Sequence, residues 1–266
     1  MAQITKIAAQ KRPGRYNVYL NGKYAFPVAE SVLVKHRLLK GMELTKEEVA
    51  QITTDDAIAQ AYEKALDFLS YQLRTEDEVT KKLLKEGVPI EQIEPVLKQL
   101  RENQLLDDEA YAAAYVRTVM NTELKGPTVI RRKLRAKRVG ELQIDTALAQ
   151  FTSERQLENA TKLAQKLFRR YAKHPVRRQK EKVYQGLITQ GYGGDIAKEA
   201  ANVATPTEPT VNITDLLDHE GEKIWNRYAR RASGYELTMK VKQALFRKGF
   251  DYDEIEAWVN QRSEEE

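Results

Sequence analysis

Residues 105–138 read Leu-Leu-Asp-Asp-Glu-Ala-Tyr-Ala-Ala-Ala-Tyr-Val-Arg-Thr-Val-Met-Asn-Thr-Glu-Leu-Lys-Gly-Pro-Thr-Val-Ile-Arg-Arg-Lys-Leu-Arg-Ala-Lys-Arg, and their reading decides the fold. The stretch holds two helices and a sharp joint. Asp107 or Asp108 caps the first helix, because a short carboxylate accepts the unpaired N–H groups of an opening turn and its charge suits the positive helix end. Tyr111, Ala114, Tyr115, Thr118 and Val119 recur at helical spacing, which predicts a buried stripe. Gly126-Pro127 ends that helix and starts the next, proline being suited to a first helical position. In the second helix Ile130 and Leu134 face inward at i, i+4, and Arg131, Arg132, Lys133, Arg135, Lys137 and Arg138 cover most of the remainder. Within the helix those cations have no acidic neighbour at i±4, so they are expected to point outward and repel one another.

Working outward, Leu83–Gly87 superimposes on Leu134–Arg138, Leu187–Gly191 and Leu245–Gly249, at spacings near fifty residues. Inward positions correspond as well: Val79 with Ile130, Val183 and Val241, and Ile93 with Ile144 and Ile255. A weak repeat of this length signals tandem units, each with a longer first helix, a basic second helix and a short third one. Units are expected at 55–104, 105–151, 152–204 and 214–266, with Thr205-Pro-Thr-Glu-Pro-Thr210 inside a linker at 205–213 that leaves the fourth unit free to move. Thr75-Glu-Asp-Glu78 is a capping box that opens a helix in the first unit. In the third, Ala197 and Ala201 stand where the first has Ile93 and Leu97, which predicts a thinner core. Gly191-Tyr-Gly-Gly194 lacks a preceding strand and a Gly-Lys-Ser/Thr ending, and is a turn between helices rather than a phosphate loop.

Residues 1–54 differ. Pro13-Gly14 and Asn21-Gly22 are turn signals, the second for a two-residue hairpin, and they predict strands near 3–10, 15–20 and 23–28. Tyr19, Tyr24 and Phe26 fall on one face, either as core under the following helices or as a stacking platform for bases. A helix at Ala29–Arg37 and a short one opened by the Thr45–Glu48 capping box complete this head. The fold class is therefore mainly α: tandem three-helix repeats in an elongated array, preceded by a small β-meander/α module.

The features quoted above resemble the RecX family, bacterial regulators of the RecA recombinase. They are the leucine–acidic–acidic start, Tyr111-Ala112 with Tyr115-Val116-Arg117, and Lys125-Gly126-Pro127…Ile130…Lys133-Leu134. The repeat pattern runs from about residue 57 onward. The family pattern usually has three repeats, and the head and the fourth repeat resemble what longer members from Gram-positive bacteria carry. The resemblance implies a non-enzymatic cytoplasmic regulator of homologous recombination, DNA repair and the SOS response. It would bind RecA–single-stranded DNA filaments, lodge in their groove, limit their growth and damp strand exchange and ATP hydrolysis.

Composition is compatible with this. Of 266 residues 41% are hydrophobic and 31% charged, cysteine is absent, and no apolar run nears the ~20 residues of a membrane helix. No hydrophobic signal-peptide core is evident at the start. The net charge of +5 hides a division. Residues 43–109 carry 17 acidic and 8 basic side chains, residues 117–138 carry 8 basic and one acidic, and residues 155–182 carry 10 basic and 2 acidic. Solvated helix faces also look like this, but recurrence in consecutive units points to a polyanion. Candidate contacts to nucleic acid or a partner are Arg117, Arg131, Arg132, Arg135, Lys137, Arg138, Lys166, Arg169, Arg170, Arg177, Arg178, Lys180, Arg230, Arg231, Arg247 and Lys248. The expected partners are the RecA filament and single-stranded DNA, with double-stranded DNA as a further candidate, and no membrane and no small-molecule substrate. An independent sequence-nonspecific DNA- or RNA-binding protein is the alternative. His36, His174 and His219 show no metal-ligand spacing, and no Gly-x-Ser-x-Gly elbow occurs, so no metal, cofactor or catalytic group is expected.

Overall fold

The computed structural model describes residues 1–206 and 212–264. Most of the expected linker, and Glu265 and Glu266 of the acidic tail, lie outside them. The described residues form four strands and thirteen helices. By its internal contacts the chain divides into two compact units: Met1–Ala112 with Leu134–Ile144, and Ala113–Lys133 with Asp145–Glu266.

The first unit begins with β1 (Ala2–Ala9), β2 (Arg15–Leu20) and β3 (Lys23–Ala29), joined by turns in which Asn21 and Gly22 both adopt positive φ. The fourth strand, β4 (Glu43–Leu44), pairs antiparallel with β1, giving the order β3-β2-β1-β4. This strand is too short for sequence periodicity to reveal. A register shift after Val18 pairs Val18 with Phe26 but Tyr19 with Tyr24. The expected aromatic trio is thereby split: Phe26 enters the core with Ile4, Val18 and Val28, whereas Tyr24 is exposed and meets Tyr19 edge-on, ring centres 6.0 Å apart.

The helix opened by Thr45 is long rather than short: α2 (Lys46–Leu69) runs 24 residues, because no glycine or proline interrupts it. A boundary at residue 54 would fall inside it. Its first half closes the sheet core with Ile52, and its second half packs with α3 (Glu76–Lys85) and α4 (Ile90–Glu102) through Ala61, Ala65, Val79, Leu83, Ile93 and Leu97. The junction is fixed by a buried ion pair. Arg15 donates two hydrogen bonds to Asp56, at 2.8 and 2.9 Å, and the Ala29 amide donates to the same carboxylate at 2.7 Å. Satisfied on all sides, the pair orients the sheet on α2.

Next follow α5 (Asp108–Thr122), α6 (Pro127–Ala136) and α7 (Glu141–Ala149), through which the division into units runs. The two acids of the quoted stretch do different work. Asp107 caps α5 by accepting from the amides of Glu109 and Ala110, while Asp108 accepts from the Glu76 amide at the start of α3. The stripe of α5 is shifted from the expected one. Ala112, Val116 and Val119 are buried, Tyr111 and Tyr115 are half-buried, and Thr118 is exposed. Tyrosines at the edge keep their hydroxyls within reach of polar groups: Tyr115 bonds Lys133, and the Lys137 ammonium lies 5.3 Å from the Tyr111 ring centre.

The second unit continues with α8 (Ser153–Arg170), α9 (Val176–Thr189), α10 (Gly194–Val203), α11 (Ile213–Tyr228), α12 (Gly234–Arg247) and α13 (Tyr252–Glu264). Small residues line the α8–α10 contact, where Ala160, Ala164, Ala197, Ala200 and Ala201 are all buried. The last three helices enclose Leu217, Ile224, Trp225, Val241, Leu245 and Ile255, with Trp258 edge-on to Trp225 at 6.1 Å. Every corresponding inward position expected from the repeat is buried.

Candidate nucleic-acid interface

The Leu-x-x-x-Gly signature is a helix ending. The amides of Val88, Val139 and Tyr192 donate back to the carbonyls of Leu83, Leu134 and Leu187 at 3.1, 3.2 and 3.2 Å. The residue between, Gly87, Arg138 or Gly191, has positive φ, as has Gly249 at the corresponding place in α12. This is the left-handed C-terminal cap, with a hydrophobic residue after it turned into the core. Arg138 is the one member without glycine; at φ 62° it holds a conformation that L side chains adopt at a cost.

In the second unit these endings dock on the starts of other second helices. The Gly126 amide donates to the Gln190 carbonyl at 2.8 Å, Thr128 donates to Gly191 at 3.1 Å, and the Lys125 ammonium donates to the Gln190 side chain at 2.6 Å. The negative end of α9 thus satisfies unpaired amides at the positive end of α6. Gly249 sits against Arg178 in the first turn of α9, where a Cβ would come within 2.6 Å of the arginine Cβ. In the first unit the end of α6 meets the start of α3 through charge: the Lys137 ammonium lies 2.7 Å from Glu78. Burial alone would raise the Glu78 pKa, but the Lys137 hydrogen bond, the Thr75 amide and nearby Arg74 outweigh it and lower it.

Seven of the sixteen candidate cations are engaged. Arg131 reaches Asp145 at 2.5 Å, Arg135 grips Glu141 at 2.5 and 2.9 Å, Lys137 has Glu78, and Arg178 has Glu181 at 2.7 Å. Lys248 pairs with Glu220, Arg247 donates to the Gln243 carbonyl, and Arg177 stacks on Phe246 with its guanidinium 3.7 Å from the ring centre. The expectation that α6 lacks compensating acids therefore fails. Its acids come from α7 and, for Lys133, from Glu123 just after α5 at 3.5 Å, beyond the i±4 reach of one helix.

Among the described residues, Arg117, Arg132, Arg138, Lys166, Arg169, Arg170, Lys180, Arg230 and Arg231 meet no carboxylate, and all are exposed. Arg138 belongs to the first unit and the other eight to the second. Arg230 and Arg231 follow the end of α11 rather than lying on a second helix. Lys166 and Arg169 border a cleft of about 450 Å³ between α5 and α8, with Arg155 and Lys162, which sequence reading left out of the candidates. Glu158 neutralises those two, at 2.7 and 2.5 Å, so the free charge concentrates at Lys166 and Arg169. Among the described residues no group of His, Cys, Asp and Glu is placed to hold a metal ion, and no helix is long and apolar enough to cross a membrane.

Four family models match the chain. They describe the regulatory protein RecX N-terminal domain over residues 2–45, and the first and second three-helix domains of RecX over 61–100 and 107–148. The third three-helix domain matches twice, over 154–200 and 213–259, so the fourth repeat is of the third kind. A curated relative named regulatory protein RecX from Limosilactobacillus reuteri (strain DSM 20016) is 53% identical over 260 residues, 98% of each chain. One of the same name from Levilactobacillus brevis is 51% identical over 97% of each, and one from Bacillus cytotoxicus 37% identical over the whole of both. A crystal structure of regulatory protein RecX aligns with a TM-score of 0.71 at 56% identity, covering 76% of this chain and 100% of that one. The crystal structure of RecX from Lactobacillus salivarius aligns with a TM-score of 0.53 at 37% identity, covering 56% and 96%. With its head and all four helix triples inside these matches, the chain belongs to the RecX family of regulatory proteins.

Proposed function

We propose that the chain is a non-enzymatic cytoplasmic regulator that binds RecA–single-stranded DNA filaments, limiting their growth, strand exchange and ATP hydrolysis. Membership of a family of regulatory proteins supports the reading. The observation that carries the nucleic-acid part is the set of nine exposed cations that meet no carboxylate among the described residues. A protein in need of solubility alone would gain as much from paired surface charges, whereas unpaired ones repel each other until a polyanion arrives. The repeat units of residues 55–104, 105–151, 152–204 and 214–266 serve in this reading as the carriers of that charge. In the test, RecA hydrolyses ATP on single-stranded DNA while the chain is added. The expected result is slowing at ratios well below one chain per recombinase, since blocking a growing end affects many subunits. Unchanged hydrolysis and filament length at equimolar chain would refute the proposal.

A further inference from the structure

The helices α8 and α9 enclose a second cleft, of about 520 Å³, of which the reading above uses only Arg170. Its floor is shallow because the helices approach closely at Gly186, where a Cβ would lie 2.8 Å from a Leu167 methyl. Three cations border it, Arg170, Arg178 and Lys182, against one acid. That acid, Glu181, is already held by Arg178 at 2.7 Å and by Arg177 at 3.9 Å. Arg170 and Lys182 meet no carboxylate among the described residues. Tyr171 also lines the cleft, with the Lys182 ammonium 5.2 Å from its ring centre. The arginine on the far wall is braced from behind, since Gly249 packs on the Arg178 backbone and Cβ.

An aromatic ring among under-neutralised cations, in a groove of this volume, matches the two needs of a nucleotide in a single strand: a surface for the base and charge for the phosphates. An acidic peptide would use the cations and leave the ring idle, and a duplex would present no free base. We propose that the α8–α9 cleft seats one nucleotide of single-stranded nucleic acid, its base on Tyr171 and its flanking phosphates on Arg170, Arg178 and Lys182. This rests on the nucleic-acid part of the proposed function and not on the recombinase.

The test therefore uses the full chain and a short fluorescent oligothymidylate, without recombinase, titrated over a range of salt. Tyr171→Leu should weaken single-strand binding by about 5- to 150-fold, the loss expected for one stacked base. It should leave the salt slope and duplex binding unchanged. Lys182→Gln should make the slope of log K against log salt shallower by about 0.7, the value for one phosphate contact on a single strand. Tyr171→Phe should bind like wild type, which separates loss of stacking from loss of fold. A local reporter is His174, whose ring centre lies 6.3 Å from that of Tyr171 and whose pKa is lowered by burial and by Lys182 and Arg178. Oligothymidylate should raise that pKa, as its phosphates offset the two cations. Wild-type affinity in a folded Tyr171→Leu variant overturns the base seat, whether or not Lys182→Gln alters the slope. A His174 titration indifferent to oligothymidylate overturns the phosphate seat.

Discussion

Gly126 and Gly191 meet backbone to backbone: a Cβ on Gly126 would lie 2.2 Å from the Gly191 carbonyl carbon. The contact lets the end of α9 cap the start of α6, and no side chain can be fitted without moving one helix from the other. Gly126→Ala should destabilise by roughly 3 kcal/mol, the upper range for overpacking, because the obstacle is backbone. Gly87→Ala is the control. Unlike Gly126 it has a positive φ, of 78°, but it has open space around it, so only the conformational cost of about 1 kcal/mol applies. Chemical denaturation of both variants checks the order; equal losses would mean that the close approach is not a tight contact.

Arg138 stands where the corresponding helix endings have glycine, at φ 62°. Arg138→Gly relieves left-handed strain of about 1–2 kcal/mol and gives back about 0.5–1 kcal/mol through the freer unfolded chain. The variant should be more stable by roughly 0.5–1 kcal/mol in denaturant titration. If Arg138 serves a polyanion, the same variant binds nucleic acid more weakly, so stability and affinity move in opposite directions.

Asp108 behaves differently from its neighbour Asp107. Burial raises its pKa, the Glu76 amide opposes this, and the charges of Glu76, Asp107 and Asp77 raise it further. A carboxyl with a folded pKa above its unfolded value of 3.8 makes the ionised fold less stable. That penalty is fully present above the folded pKa and disappears as pH falls below the unfolded one. Asp108→Asn keeps an oxygen for the Glu76 amide and removes the charge. It should melt above wild type at neutral pH, with the gap closing on acidification. A gap that widens in acid would reverse the assignment.

Local features of the fold were legible in the sequence and distant ones were not. Leu83–Gly87 and its counterparts are recognisable because a left-handed helix ending needs only six consecutive residues. The capping boxes at Thr45 and Thr75 are as local, and both are formed. Tyr111 and Tyr115 misled because spacing alone does not say which of two adjacent stripes is inward, and tyrosine suits an edge as well as a core. The split of Tyr24 from Phe26 depends on a one-residue register shift, which reverses faces. Lys137–Glu78 and Arg131–Asp145 join residues far apart in the chain, so the engaged cations could not be told from the unengaged ones. Tyr171 and Lys182 went unnoticed as a pair for the same reason: one ends α8, the other lies within α9, and only packing makes a cleft of them.

Whether the chain holds to recombinase filaments beyond its affinity for nucleic acid decides its function most directly. Preformed RecA–single-stranded DNA filaments and the same DNA alone are sedimented with the chain at increasing salt, using wild type and a variant with Arg132, Arg138, Lys166 and Arg169 changed to Gln. None of the four meets a carboxylate among the described residues, so the variant should fold normally. Wild type should pellet with filaments at salt concentrations that free it from bare DNA, and the variant should need less salt to be released from either. Release of wild type from filaments and bare DNA at the same salt would contradict filament recognition, and a variant retained like wild type would remove these cations from the interface.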